Sequence, residues 1–265
     1  MKFNLSVLPI AFLLSACGGG GSSSPTVVND TLTVQTDQFD RILSTNKLAQ
    51  VACPQAARAI FIAGQSNAAN HSQNTLETTS PYVLQYFEGN CYIAQSPILG
   101  GTGTLNNPFQ AVMVDYQQRV GGYVVYSVFA VGGQPITKFS ANGIYNEALQ
   151  AAYADLNNRW PVKYFLWQQG ESDAANRISA AAYTNSWSAM VSSVGISVPM
   201  LARSTHCLDL SPYDTEVGRA QDILRTQLGG PDTDLVVGTS ERWDACHFGT
   251  PGVAHMSQLW NQYLN

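Results

Sequence analysis

At 265 residues, 45% hydrophobic and 12% charged, the chain has the makeup of one large globular domain with a full core. At a formal net charge of -5 nothing in the composition is basic enough to suggest nucleic acid, so no nucleic-acid partner is expected.

Residues 1–16 hold Lys2 as their only charged side chain and an apolar stretch from Leu5 to Leu14, then reach Leu14-Ser15-Ala16-Cys17. That pattern reads as an export signal, too short to span a bilayer. Its end resembles the lipobox of bacterial lipoproteins, which implies lipidation of Cys17. An ordinary export signal with an incidental Cys17 is the plainer alternative. Gly18 to Pro25 then forms a Gly/Ser tether, so the expectation is an exported body anchored to a bacterial membrane through Cys17. In a Gram-negative cell, Gly18 after the cysteine resembles the outer-membrane sorting pattern. Residues 17–50 are read as lipidated cysteine, tether and spacer with at most one short helix, and residues 51–265 as the folded domain.

Four cysteines remain after Cys17, and in an oxidising compartment two disulfides are favoured over a metal site. No CxxC or HExxH spacing is present, and no metal or cofactor is expected. Four cysteines allow three pairings. Cys53 with Cys91 and Cys207 with Cys246 is preferred, because each pair joins segments that the layout below brings together.

Strands are predicted at Arg58–Ala63, weakly at Cys91–Gln95, and at Tyr123–Val131, Lys163–Gln168, Pro199–Arg203 and Leu235–Thr239. One-faced helices alternate with them. Asn107-Pro108 opens the first, through Phe109, Val112, Met113, Tyr116 and Val120. Others run through Tyr145 to Trp160, Tyr183 to Val194, Val217 to Leu224 after Thr215, and Thr250 to Tyr263. Alternating strands and helices imply a single α/β domain, a three-layer α/β/α sandwich with a parallel sheet of about five strands.

The run Ala59-Ile60-Phe61-Ile62-Ala63 stops at Gly64-Gln65-Ser66-Asn67, which presents a serine at the carboxyl end of a buried strand, where ligand chemistry collects in such sheets. A serine hydroxyl needs an imidazole to take its proton, and the imidazole needs a carboxylate to orient it. Asp244 and His247, three apart after the last predicted strand, supply such a pair. The oxyanion formed on attack needs donors, available from the N–H of Ser66, the Gly-rich loop Leu99 to Thr104, and the carboxamide of Gln169.

Together Gly64-Gln65-Ser66-Asn67, the glycine block, Trp167-Gln168-Gln169-Gly170-Glu171-Ser172-Asp173 and Asp244-Ala245-Cys246-His247 resemble the blocks of the SGNH hydrolase superfamily. The nearest branch is that of sialate O-acetylesterases and family 6 carbohydrate esterases. The likeness covers about residues 57–264 and implies a flavodoxin-like sandwich, an acetylated carbohydrate substrate and an acyl-enzyme route. It puts the nucleophile on Ser66, the pair on Asp244 and His247, and the oxyanion donors on Ser66, Gly103 and Gln169, with Gly101 competing with Gly103.

Each residue also has a plainer role. Ser66 or Asn67 could cap a helix. His255 is a rival base without a neighbouring carboxylate in the sequence. Glu171 is read as shaping the Gln169 turn, His71 and His206 as structural, and Gly132-Gly133 as a close turn. Tyr82, Tyr86 and Phe87 are candidates for a sugar subsite, though scattered aromatics usually serve the core. An α/β-hydrolase elbow is disfavoured, since Ala68 replaces the last glycine of G-x-S-x-G. The alternatives in function are a non-catalytic polysaccharide-binding lipoprotein on the same fold and an O-acetyltransferase.

Overall fold

In the computed structural model, which describes residues 31–73, 79–207 and 215–265, the segment Arg58–Gly64 is the central strand. The expected export signal, Cys17 and the tether lie outside the described residues. One compact unit runs from Leu32 to Asn265. Among the described residues no helix is long and apolar enough to cross a membrane.

The strands in chain order are β1 (Val34–Thr36), β2 (Ile42–Thr45), β3 (Gln50–Val51), β4 (Arg58–Gly64), β5 (Val83–Phe87), β6 (Asn90–Ile93), β7 (Val124–Ala130), β8 (Val162–Gln168) and β9 (Pro199–Leu201). The helices are α1 (Phe109–Val120), α2 (Asn146–Arg159), α3 (Glu171–Ala175), α4 (Ala180–Val194), α5 (Glu216–Leu228) and α6 (Thr250–Asn261). Strands β3-β6-β5-β7-β4-β8-β9 form one sheet, in which β5, β7, β4, β8 and β9 are mutually parallel and β6 and β3 add an antiparallel edge.

The register follows from alternation along β4. Ala59, Phe61 and Ala63 face the layer of α2, α4 and α5, while Ile60 and Ile62 face the layer of α1 and α6. Both faces are buried because both carry helices, which is why the strand reads as a continuous apolar run. Removing the fully buried Phe61 ring would cost about 3–5 kcal/mol. The chain leaves β4 toward β5 and β7 on one side and later adds β8 and β9 on the other. The carboxyl end of β4 is therefore the point where strand order reverses and a crevice opens.

Helix ends follow their local chemistry. Asn107 Oδ1 accepts from Phe109 N–H at 3.0 Å at the start of α1, and the Thr215 and Ser179 hydroxyls accept from the N–H of Gly218 and Ala182 at the starts of α5 and α4. Both preferred disulfides, Cys53–Cys91 and Cys207–Cys246, are present.

Three expectations need correction. Residues 34–50, read as part of the spacer, instead form the β1–β2 hairpin and, with Val51, the edge strand β3; short strands whose residues are mostly polar, with Ile42 alone buried in the hairpin, leave little periodic signal. Val83–Phe87 is a sheet strand, and its buried Gln85, which donates to Leu99 O at 2.7 Å, hides the apolar pattern. Leu235–Thr239 is not a strand: it begins inside a 3-10 turn at Thr233–Leu235, Val236 is buried, and Leu235 and Val237 are exposed.

Candidate active site

At the end of β4 the chain turns sharply. A Cβ at Gly64, whose φ is +147°, would lie 2.0 Å from the Gln168 carbonyl oxygen of β8, so only glycine lets the two strand ends approach so closely. Gln65 N–H donates to that carbonyl at 3.1 Å, and a 3-10 turn over Ser66–Ala68 follows. Ser66 is thereby set at the strand end, 5% exposed and lining a cleft of about 680 Å³.

His247 lines the same cleft. Its Nδ1 lies 2.6 Å from Asp244 Oδ2, while Asp244 Oδ1 accepts from the backbone N–H of His247 at 2.7 Å and of Cys246 at 3.0 Å. Burial pushes the Asp244 carboxyl up, but the His247 backbone and ring and the Cys246 N–H outweigh it and hold the group below the ordinary carboxylate range. With Nδ1 against a carboxylate, the imidazole has Nε2 free to accept a proton.

The loop bearing this pair is built around Arg242, 2% exposed, whose Nε, Nη1 and Nη2 donate to the carbonyls of Val236, Cys246 and Thr233. Its guanidinium lies 4.6 Å from the Phe248 ring centroid. The Cys207–Cys246 bridge ties the loop to the segment after β9, and both cysteines line the cleft. Asn67, next to Ser66, donates through Nδ2 to Glu171 Oε1 at 2.7 Å and to the Cys246 carbonyl at 3.3 Å. Glu171 is 2% exposed, with Oε1 also accepting from Ser204 Oγ and Oε2 unpartnered; burial raises its pKa against the Asn67 and Ser204 donors.

Gln169 is fully buried, and its Nε2 donates to Gln65 Oε1 at 3.2 Å, to the Gln134 carbonyl at 3.1 Å and to the Asp173 carboxylate. The Gln65 oxygen also accepts from Ser172 N–H, so the turns after β4 and β8 are cross-tied. Gly103, with φ +84°, packs so that a Cβ would sit 2.5 Å from the Asn70 carbonyl and 2.8 Å from His71 Nε2. Its neighbour Thr102 lines the cleft, and Gly101 pairs with the end of β7 at Ala130. Gly132 and Gly133 also line the cleft, with Gly132 N–H donating to Thr102 Oγ1 at 2.9 Å.

Further sequence readings change on inspection. His71 is no mere structural histidine: it lines the cleft, stacks on His247 with centroids 5.3 Å apart, and has Nε2 3.2 Å from Thr102 Oγ1. Burial and the neighbouring His247 lower its pKa to about 4. Trp243 stacks on His247 at 6.4 Å and donates from Nε1 to the His71 carbonyl. His255 does have a carboxylate partner, Glu241 at 2.9 Å, but that pair stands outside the cleft. Tyr82, Tyr86 and Phe87 do not line the cleft either: Tyr86 is buried and donates to Asp155, Tyr82 packs on Tyr123, and Phe87 borders a separate cavity. The cleft is instead lined by Gln38, Phe39 and Asp40 of the β1–β2 hairpin with Ile144 and Tyr145. Only the Asn67 position had a sequence signal, in Gly-Gln-Ser-Asn; the hairpin contribution had none.

Known proteins share the fold. Among solved structures the chain is similar to a protein of Arabidopsis thaliana (16% identity, TM-score 0.59, covering 77% of this chain and 96% of that one). It is also similar to NanS (14%, TM-score 0.51, 79% and 96%) and to a Bacillus subtilis protein (15%, TM-score 0.50, 80% and 57%). At these identities the likeness carries the fold, a mostly parallel sheet flanked by helices. No curated protein matches the chain by sequence. The model of the family "carbohydrate esterase, sialic acid-specific acetylesterase" matches residues 56–262, and the chain belongs to that family of carboxylic ester hydrolases within the SGNH hydrolase superfamily.

Proposed function

We propose that the protein removes O-acetyl groups from a carbohydrate through an acyl-enzyme formed on Ser66. The observation that carries this reading is that Ser66 and His247 line one cleft although 181 positions separate them, with His247 Nδ1 held 2.6 Å from Asp244. In the proposed cycle Ser66 Oγ attacks the acetyl carbonyl as His247 Nε2 takes its proton. His247 then gives that proton to the departing sugar hydroxyl, and water, activated the same way, releases acetate. Asp244 keeps the imidazole in the tautomer that leaves Nε2 free and steadies its charge. Ser66 N–H and Gly103 N–H are the proposed oxyanion donors, with Gln169 as a third donor that must first turn its amide from the Gln134 carbonyl toward the cleft.

Two disulfides favour an extracytoplasmic location, and Cys17 is proposed as the lipid anchor that ties the enzyme to a bacterial membrane. Labelled fatty acid should enter the wild-type protein and not the Cys17→Ser variant. The catalytic reading is tested with Ser66→Ala, which should lower acetate release from 4-nitrophenyl acetate by about 10³-fold or more. Unchanged turnover refutes it.

A further inference from the structure

The cleft holds a charge pattern that the family description does not anticipate. Its ionisable lining groups are Asp40, Tyr145, Glu171, His71 and His247; among the described residues neither Lys nor Arg lines it. Two guanidinium groups close in sequence to lining residues are engaged elsewhere. Arg41 follows Asp40 directly, yet its guanidinium is paired with Asp37 at 2.6 Å, lies 4.0 Å from the Phe129 ring centroid and borders a different cavity. Arg242 is buried behind the Cys246 carbonyl with all three nitrogens donating to backbone. Lys138 and Arg177, on flanking segments, are likewise absent from the lining. The internal segments 74–78 and 208–214 contain acidic residues and no Lys or Arg.

A sugar carboxylate is ordinarily recognised by an arginine fork or a lysine, because stripping its hydration without a cation leaves the desolvation cost uncompensated. Here such a group would share the cleft with Asp40, at the exposed hairpin tip, and find no cation among the described lining residues. The apolar lining beside Asp40 suits an uncharged ring. Phe39 and Tyr145 meet edge to face with centroids 5.0 Å apart, and Ile144 beside them is 57% exposed, offering apolar surface to the C–H face of a pyranose.

We infer that the sugar whose ester reaches Ser66 is uncharged, an acetylated neutral glycan unit, and that sugars bearing a carboxylate are discriminated against by Asp40 and by the lack of a lining cation. This rests on the esterase reading above. Discrimination then comes from a repulsive element rather than from an added contact.

The test uses matched pairs that differ in one charge: 9-O-acetyl-N-acetylneuraminic acid against its methyl ester, and an O-acetylated methyl glucuronoside against the corresponding methyl glucoside. 4-Nitrophenyl acetate serves as a reference. The neutral member of a pair should show kcat/KM higher by about tenfold or more, with the gap narrowing in high salt and in Asp40→Asn. Neutral and charged members cleaved within about a factor of two overturn the inference while Ser66-dependent cleavage of the aryl ester leaves the esterase reading standing. Cleavage of the aryl ester alone, with no sugar ester accepted, also overturns it. No turnover of any ester removes the esterase reading, and the inference with it.

Discussion

The side-chain amide of Asn67 donates to the backbone carbonyl of Cys246 at 3.3 Å, joining the residue after Ser66 to the residue before His247. The same amide donates to Glu171 Oε1 at 2.7 Å, so a buried carboxylate fixes the tie. Two loops 179 positions apart are thereby held in register by one side chain. Asn67→Ala should lower kcat by about tenfold or more with little change in KM, since it loosens alignment rather than substrate contacts. Stability should fall by about 1–3 kcal/mol, because Glu171 and the Cys246 carbonyl lose a buried donor. An unchanged kcat beside a lowered Tm would assign Asn67 to folding alone.

The two disulfides offer a controlled contrast. They close chain separations of 38 and 39 residues, so their loop-closure contributions should be nearly equal, about 4 kcal/mol each as an upper figure. Only Cys207–Cys246 borders the cleft. Cys53→Ser/Cys91→Ser and Cys207→Ser/Cys246→Ser should therefore lower the denaturation midpoint comparably, while the second pair alone also lowers kcat on an aryl acetate. Equal loss of kcat in both variants would show that the Cys207–Cys246 bridge has no local part in presenting His247.

What was legible in the sequence follows from where the information lies. β4, β7 and β8 are covered on both faces and so are mostly apolar, and helices α1, α2, α4, α5 and α6 carry one-faced periods with caps at Asn107, Ser179 and Thr215. Their existence is written locally. The Leu235–Thr239 run looks like a strand for the same reason, but no neighbouring strand pairs with it; the Glu241 carboxylate takes the N–H of Val237 and Gly238, and Arg242 takes the Val236 carbonyl. Ser66, Asp244 and His247 stand in recognisable blocks, whereas His71 and the hairpin residues Phe39 and Asp40 join the cleft only through tertiary packing. A lone histidine in a loop carries no sign of the ring it will stack against.

His71 gives the fold a pH dependence of definite sign. Burial, then the nearby His247, lowers its pKa from 6.5 to about 4, with Asp244 acting in the opposite sense. Between these values the unfolded chain binds a proton that the folded chain refuses, so this contribution to stability is present above pH 6.5 and is lost as pH falls toward 4. Its size is about 2 kcal/mol after allowing for the part of the ring that water reaches. Urea midpoints of wild type and His71→Gln should differ in their pH slope across this window, the variant being flatter. Parallel profiles would mean that His71 stays neutral in neither state more than the other.

Arg242 should be intolerant of even conservative replacement. Its planar fork reaches the carbonyls of Val236, Thr233 and Cys246 at once while the guanidinium stacks 4.6 Å from the Phe248 centroid. Lysine supplies a single nitrogen on a flexible stem and cannot span three acceptors set around a plane. Arg242→Met removes all three donors, strands buried carbonyls and leaves Glu171 without its nearby positive charge, for a loss of about 3–5 kcal/mol. Arg242→Lys should recover part of that stability but little activity, because the Cys246 carbonyl that positions His247 is only one of three acceptors competing for one ammonium. A lysine variant with wild-type kcat would show that the loop presents His247 without the guanidinium, and that Asn67 and the disulfide suffice.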